Sequence, residues 1–214
     1  LHRTARALPG HPSTPRPLVL NTWEAVYFDH DPAKIRALAE AGASVGVERF
    51  MLDDGWFTGR PDDRSGLGDW FIDREKWPDG LRPLADHVHG LGMQFGLWFE
   101  PEMVNPVSEL ARQHPDWILQ ASTDSATWRH QKVLDLTNPD AAAFVLERIS
   151  ALVTEVGIDF IKWDHNRDLH AAVSPLSGRA SVHAQTAAFY ALLDALRDRH
   201  PSLEIESCAS GGAR

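Results

Sequence analysis

Residues 160–167 of this chain read FIKWDHNR, a short apolar run that ends in charged residues. Side chains alternate between the two faces of a β-strand, so we expect Lys162 and Asp164 on one face and Ile161 and Trp163 on the other. A buried charge is costly without a partner, so the pattern favours a functional site over core filling, with a structural ion pair as the alternative. The ammonium of Lys162 should hold Asp164 ionised at neutral pH, as a carboxylate nucleophile requires.

Six short apolar runs of this kind are spaced along the chain. They are Leu18–Asn21, Arg49–Asp53, Gln94–Phe99, Val133–Leu136, Asp159–Trp163 and Leu203–Glu206. Runs that are nearly continuously apolar are typical of strands buried on both faces of a parallel sheet. Helical patterns lie between them, with starts at Asp31-Pro32 and Asn138-Pro139 and further helices over Leu81–Leu91 and Ser181–His200. Strands that alternate with helices predict right-handed βαβ units.

The predicted fold class is α/β, a (β/α)₈ TIM barrel of which only about the first six βα units are present. A full barrel takes about 250 residues, and six units in 214 residues have that density. A doubly wound sheet is disfavoured because no glycine-rich phosphate loop follows the first run. We assign residues 18–214 to the barrel and residues 1–17 to a linker or the end of a preceding domain. A chain that starts at Leu1 and stops at Arg214 is expected to be a piece of a longer protein.

Composition excludes several classes of protein. The formal net charge of −9 argues against binding to nucleic acid, which favours a basic surface. No apolar run approaches the roughly 18–20 residues that span a bilayer, so no membrane association is expected. Cys208 is the single cysteine, which excludes an internal disulfide and a CxxC zinc cluster. The 11 histidines show no metal-ligand spacing, so neither a metal nor another cofactor is expected. These features fit a cytoplasmic protein.

Carboxylates and tryptophans also gather at the ends of other runs. Asp53 and Asp54 end the second run, and Gly55 lets the chain turn so that both carboxylates reach one pocket. Paired carboxylates beside aromatic residues suit metal binding or the gripping of sugar hydroxyls, and the histidine pattern disfavours metal. Of the 8 tryptophans, Trp23, Trp56 and Trp98 follow or end strands. An indole there can pack against a sugar ring, although core packing is the alternative interpretation.

Together these segments resemble glycoside hydrolase family 36, the α-galactosidases of bacterial type. The matching stretches are NTWEA (21–25), MLDDGW (51–56), FGLWFEPEMVNP (95–106), RHQKVLDLTNP (129–139), DFIKWDHNR (159–167) and ESCASGGAR (206–214). The resemblance implies retaining hydrolysis of terminal α-galactosides with Asp164 as the nucleophile. It also implies a set of residues that contact the sugar: Trp23, Asp53, Asp54, Trp98, Arg129, Lys162, Asn166, Cys208 and Gly211.

The family's acid/base is an aspartate in a later segment, so we expect it beyond residue 214 and expect the fragment alone to be inactive. An α-galactosyl transglycosylase or an α-N-acetylgalactosaminidase would share most of these motifs. A non-catalytic carbohydrate-binding barrel would keep Trp98 and the aspartate pair without needing a positioned Lys162–Asp164 couple. A metal-dependent lyase or hydrolase is a third class. The expected partner is a small α-galactoside, and the parent protein is expected to be homo-oligomeric.

Overall fold

The structure, a computed structural model, describes residues 15–122 and 125–209. Its strands are β1 (Val19–Asn21), β2 (Arg49–Leu52), β3 (Gln94–Phe99), β4 (Met103–Val104), β5 (Ile118–Leu119), β6 (Lys132–Leu134), β7 (Phe160–Trp163), β8 (Val173–Ser174), β9 (Arg179–Ala180) and β10 (Glu204–Ser207). Its α-helices are α1 (Trp23–Val26), α2 (Pro32–Ser44), α3 (Arg82–Gly90), α4 (Glu109–Gln113), α5 (Pro139–Leu152) and α6 (Val182–Arg199). None of these helices is long and apolar enough to cross a bilayer.

A five-stranded parallel sheet forms the framework, in the order β1-β2-β3-β7-β10. All four neighbouring pairs are parallel, and a helix lies between successive strands along the chain, as in βαβ units. The apolar runs form these strands because both faces are covered: Phe50, Met51 and Leu52 in β2 are at most 1% exposed. The predicted α/β class with a parallel sheet is therefore confirmed.

The fourth predicted strand, Val133–Leu136, forms in part but does not belong to the parallel sheet. Residues 132–134 form β6, which pairs antiparallel with both β4 and β5 in a separate three-stranded sheet. Among the described residues the parallel sheet thus has five strands, and Asp164 follows the fourth strand of this sheet rather than the fifth. The composition of the run Val133–Leu136 could not reveal that its partners are the short strands β4 and β5.

The parallel sheet is curved, because side chains meet across its inner face. Arg49 of β2 binds Glu204 of β10 with Nη2 to Oε1 at 2.5 Å. These strands are three positions apart, which in a flat sheet would separate them by about 14 Å. A salt bridge between them requires that the sheet curl toward itself, as a barrel wall does.

The predicted helices are confirmed, and their first turns show why they begin where they do. The side chain of Asp31 accepts hydrogen bonds from the backbone N–H groups of Ala33 and Lys34 at the start of α2. Asn138 accepts one from Asp140 N at the start of α5. Each cap is followed by proline, whose missing N–H costs nothing in the first turn.

The helices cover the outer face of the sheet. Trp163 of β7 is fully buried and packs edge-on against Phe189 of α6, with ring centroids 5.5 Å apart. Leu84 and Val88 of α3 are buried in the same core. This packing leaves the alternate residues of the strands, Lys162 among them, directed to the concave face, as the sequence predicted.

Candidate active site

The carboxyl ends of β2, β3 and β7 surround a cavity of about 200 Å³. It is lined by Trp23, Phe28, Asp53, Asp54, Arg60, Asp63, Trp98, Glu100, Arg129, Lys162, Asp164 and Asn166. Eight of the ten residues that the sequence nominated are in this set. Of the other two, half-buried Cys208 follows β10, where its N–H donates to Trp163 O at 2.8 Å, and Gly211 lies outside the described residues.

Asp164 comes directly after β7 and is 7% exposed. Its carboxylate accepts a hydrogen bond from Trp98 Nε1 to Oδ2 at 3.1 Å and another from the backbone N–H of His165 to Oδ1 at 2.9 Å. Its own N–H donates to Phe99 O at 2.7 Å, which fixes the backbone against β3. These hydrogen bonds fix the orientation of the carboxylate at the cavity.

The partner of Lys162 differs from the sequence expectation. Lys162 Nζ donates to Asp53 Oδ2 at 2.8 Å, so the ion pair joins β7 to the end of β2. Burial would lower the pKa of Lys162, but the charge and hydrogen bond of Asp53, with the charge of Asp164, raise it above its usual value. The lysine is therefore a cation near Asp164 whose hydrogen bond goes to Asp53. The alternation of side chains along the strand predicted which face of the sheet Lys162 lies on. It could not predict which carboxylate lies closest to its ammonium group.

Asp53 and Asp54 both line the cavity because the chain turns at Gly55. Gly55 has φ +115°, a left-handed conformation that a side chain would strain. Asp53 also accepts a hydrogen bond from Asn21 Nδ2 at 2.6 Å, which connects it to the end of β1. Asp54 instead receives two hydrogen bonds from Arg60, from Nε to Oδ1 at 2.9 Å and from Nη2 to Oδ2 at 2.7 Å. Each carboxylate thus has its own cation.

The tryptophans divide between cavity and core. Trp23 and Trp98 line the cavity, and Trp23 stands edge-on to Phe28 with ring centroids 5.2 Å apart. Trp56 and Trp70 are fully buried in the core behind the cavity. Core packing therefore accounts for Trp56 and Trp70, whereas sugar contact by Trp23 and Trp98 stays a prediction.

Comparison with known proteins places this arrangement in a family. The family described as Melibiase matches residues 2–214. The chain belongs to the melibiase family. It is 54% identical over 200 residues to an alpha-galactosidase of Escherichia coli. The matched region covers 93% of this chain and 28% of that protein.

Solved structures of melibiase relatives superpose closely on the chain. A variant of the GH36 alpha-galactosidase AgaA from Geobacillus stearothermophilus in complex with stachyose has a TM-score of 0.88 at 42% identity, covering 94% of this chain and 29% of that one. A second AgaA variant, in complex with raffinose, has a TM-score of 0.86 at 43% identity, covering 92% and 28%. The chain thus spans less than a third of the length of these relatives.

Two loops complete the candidate site. Arg129 and His130 have positive φ values of 50° and 61°, and this turn brings Arg129 to the cavity. The backbone carbonyl of His130 accepts a hydrogen bond from Asn105 Nδ2 at 2.9 Å, and this bond holds the turn in place. On the other loop, Asn166 N donates to Glu100 Oε1 at 2.6 Å. Both loops are therefore fixed by hydrogen bonds from outside their own turns.

Sequence reasoning missed Arg60 and the unusual state of Glu100. Glu100 was not nominated from the sequence, yet it is 1% exposed at the cavity wall. Burial, with the nearby charge of Asp164, raises its pKa to about 8. The need to balance paired aspartates could have pointed to Arg60. Another nearby arginine, Arg167, donates to Gln131 O and Ala126 O.

The described ranges contain no group of three or more His, Cys, Asp or Glu side chains arranged to hold a metal ion. The many acids at the strand ends are instead engaged by cations and N–H groups. The cavity therefore offers buried carboxylates, aromatic walls and charged hydrogen-bonding groups.

Proposed function

We propose that the protein containing this chain is a retaining α-galactosidase and that Asp164 is its nucleophile. The observation that carries the proposal is the position of Asp164 in the cavity. Its carboxylate receives two N–H donors there, within the same wall as the paired aspartates Asp53 and Asp54. The alpha-galactosidases among the relatives support this activity. The relatives seen with raffinose and stachyose support oligosaccharides of that kind as the substrate class.

The proposed reaction is a double displacement. A carboxylate oxygen of Asp164 attacks C1 of the galactosyl unit, the glycosidic C–O bond breaks, and the leaving oxygen takes a proton from a second carboxyl group. Water then attacks C1 of the covalent intermediate, gives its proton to that second group and releases galactose with retained configuration. Retention requires the two carboxyls about 5–5.5 Å apart. From the family resemblance we expect the parent protein to supply the second one from a later segment, in a completed (β/α)₈ barrel.

The other cavity residues have proposed roles in binding. Asp53 and Asp54 accept the O4 and O6 hydroxyls of galactose, and Lys162 and Arg129 supply cationic contacts to the sugar. Trp98 and Trp23 form the walls against which the ring packs. Asn166 and, from the loop after β10, Cys208 and Gly211 complete the contacts. A cytoplasmic location and a homo-oligomeric parent stay predictions, to be checked by cell fractionation and by size-exclusion chromatography with light scattering.

The test is an aryl α-galactoside assay on the full-length parent. Asp164→Ala should lower kcat by about 10⁴-fold or more, because the nucleophile acts in every turnover. Added azide should restore turnover and give β-galactosyl azide, since azide fills the space left on the nucleophile's side of C1. Asp168→Ala, four residues on and exposed, is the matched control and should keep wild-type activity. Undiminished activity of Asp164→Ala would remove this residue from its role.

A further inference from the structure

We propose that Arg60 is a positioning residue that sets the selectivity of the cavity for sugars with a hydroxymethyl group at C5, by fixing the carboxylate of Asp54. The inference rests on the proposed function, because that function assigns Asp54 to galactose hydroxyls. Arg60 lies in the segment 57–80 after β2, a long connection to which the proposed reaction gives no part. The inference supplies a reason for that segment to reach the cavity.

The contact between Arg60 and Asp54 is bidentate and buried. Nε and Nη2 of Arg60 donate to the two carboxylate oxygens at 2.9 and 2.7 Å. The two side chains are 2% and 8% exposed. A bidentate pair fixes the plane of the carboxylate, and with it the direction of the lone pairs left for a sugar. Burial raises the pKa of Asp54, and the hydrogen bonds and charge of Arg60 oppose that rise, so Arg60 also favours the accepting form.

The guanidinium is held by groups other than Asp54. Nη1 donates to Ser65 O at 2.9 Å and to Asn105 Oδ1 at 3.4 Å. The guanidinium carbon lies 5.5 Å from the ring centroid of Phe28 and 5.6 Å from that of Phe57. Arg60 is therefore fixed before any ligand arrives, and it can impose its geometry on the carboxylate.

The surroundings of the two aspartates suggest which part of the sugar each one meets. Asp53 is bound to Lys162 and Asn21, on the side of the strand ends. Asp54 is bound by Arg60 of the segment 57–80, and the guanidinium of Arg60 lies 5.5 Å from the centroid of the ring of Phe28, which also lines the cavity. A carboxylate beside an aromatic ring suits a hydroxymethyl group, whose CH₂ is apolar and whose hydroxyl donates. A site built to bind a hydroxyl rejects the analogue that lacks it.

The experiment compares two substrates on the full-length parent. An aryl β-L-arabinopyranoside has the ring of an aryl α-D-galactopyranoside without the hydroxymethyl group. For Arg60→Gln, the ratio of kcat/KM for the galactoside to that for the arabinoside should fall by about 10- to 100-fold, as expected for a lost charged contact. Arg60→Lys keeps the charge but not the fork, so its ratio should fall less. The lysine variant also provides the measurement if Arg60→Gln does not fold.

Two further variants separate selectivity from structural support. Arg148 also holds the segment 57–80, through Trp70 O at 3.0 Å and the Phe71 ring at 4.1 Å, without touching Asp54. Arg148→Gln should therefore leave the substrate ratio unchanged. If Arg60 acts through Asp54, the double variant Arg60→Gln/Asp54→Asn should have the same ratio as Asp54→Asn alone.

Each outcome decides the question. An equal loss on both substrates in the Arg60 variants, or the same change of ratio in Arg148→Gln, would overturn the proposal and leave Arg60 a support of the fold. Additive effects in the double variant would also overturn it. A wild-type parent that cleaves no α-galactoside would refute the proposed function itself, and the inference with it.

Discussion

The side chains around the cavity carry more acid than base, and this excess shapes the behaviour of individual residues. Five carboxyl groups line it (Asp53, Asp54, Asp63, Glu100 and Asp164) against three cations (Arg60, Arg129 and Lys162). Lys162 and Arg60 hold Asp53 and Asp54. In the described part of the chain, Glu100 accepts hydrogen bonds from Asn166 N and from Gln131 Nε2 at 3.1 Å. Burial, followed by the nearby charge of Asp164, raises its pKa.

Glu100 should therefore make the stability of the protein depend on pH. Its pKa is about 8 in the folded chain against an ordinary 4.5, so between these values the folded state holds a proton that the unfolded chain has lost. The stabilisation from this bound proton is fully present below the pKa of the unfolded chain. It is lost as the pH rises through the pKa of the folded chain. In the parent protein, Glu100→Gln should raise Tm relative to wild type by several degrees at about pH 9 and by much less at about pH 5, because each pKa unit is worth about 1.4 kcal/mol.

The amide of that variant fits the site. It can accept from Asn166 N as Glu100 does, and Gln131 Oε1, which has no hydrogen-bond partner in the described structure, can turn to receive its NH₂. Glu75→Gln removes an exposed carboxylate and controls for the change in net charge. Tm differences that stay parallel across the pH range would show that Glu100 is not the group responsible.

At the scale of elements, the position of β7 depends on a glycine in the neighbouring strand. Gly96 of β3 is the register partner of Phe160 of β7, and a Cβ on Gly96 would lie within 3.0 Å of the Phe160 ring. The guanidinium of Arg49 also lies near this ring, 4.9 Å from its centroid. The position of the Phe160 ring beneath Lys162 therefore depends on the lack of a side chain at position 96.

Gly96→Ala should destabilise the parent by about 1–3 kcal/mol, as overpacking a filled core does, and should lower kcat because β7 carries Asp164. Chemical denaturation and the aryl galactoside assay measure both effects. Gly90→Ala at the end of α3 is the matched control: its Cβ would meet nothing within 4 Å, so stability should stay level or rise by about 0.4–1 kcal/mol. Equal stability of the two variants would show that Phe160 is free to adjust.

At the scale of the whole molecule, the five-stranded sheet is an open part of a curved wall. In the described chain β1 and β10 are its two edges, and unpaired edges invite pairing with other chains. Residues 1–214 produced alone should therefore aggregate on size-exclusion chromatography. The proposed reaction also needs an acid/base from elsewhere, whose loss costs roughly 10²–10⁴-fold in rate, so the isolated chain should show almost no turnover of aryl α-galactosides. A monodisperse chain with the kcat of the parent would contradict both expectations.

Local pattern determined much of this protein. Apolar periodicity together with capping residues such as Asp31 and Asn138 predicted the helices. The position of Asp53 and Asp164 at the ends of buried strands predicted that they belong to one site. These features depend on hydrogen bonds within a turn and on the alternation of side chains, which neighbouring residues fix. Among the predicted strands, Val133–Leu136 was placed in the wrong sheet.

The tertiary structure alone decided which charges pair. Lys162 and Asp53 are 109 positions apart in the chain, and Arg60 reaches Asp54 only because the segment after β2 folds back over the cavity. Such pairs depend on the curvature of the sheet and on the path of long connections, which place atoms within 3 Å of one another without leaving a periodic trace in the sequence. The raised pKa of Glu100 has the same origin, because burial and the approach of Asp164 are properties of the folded wall.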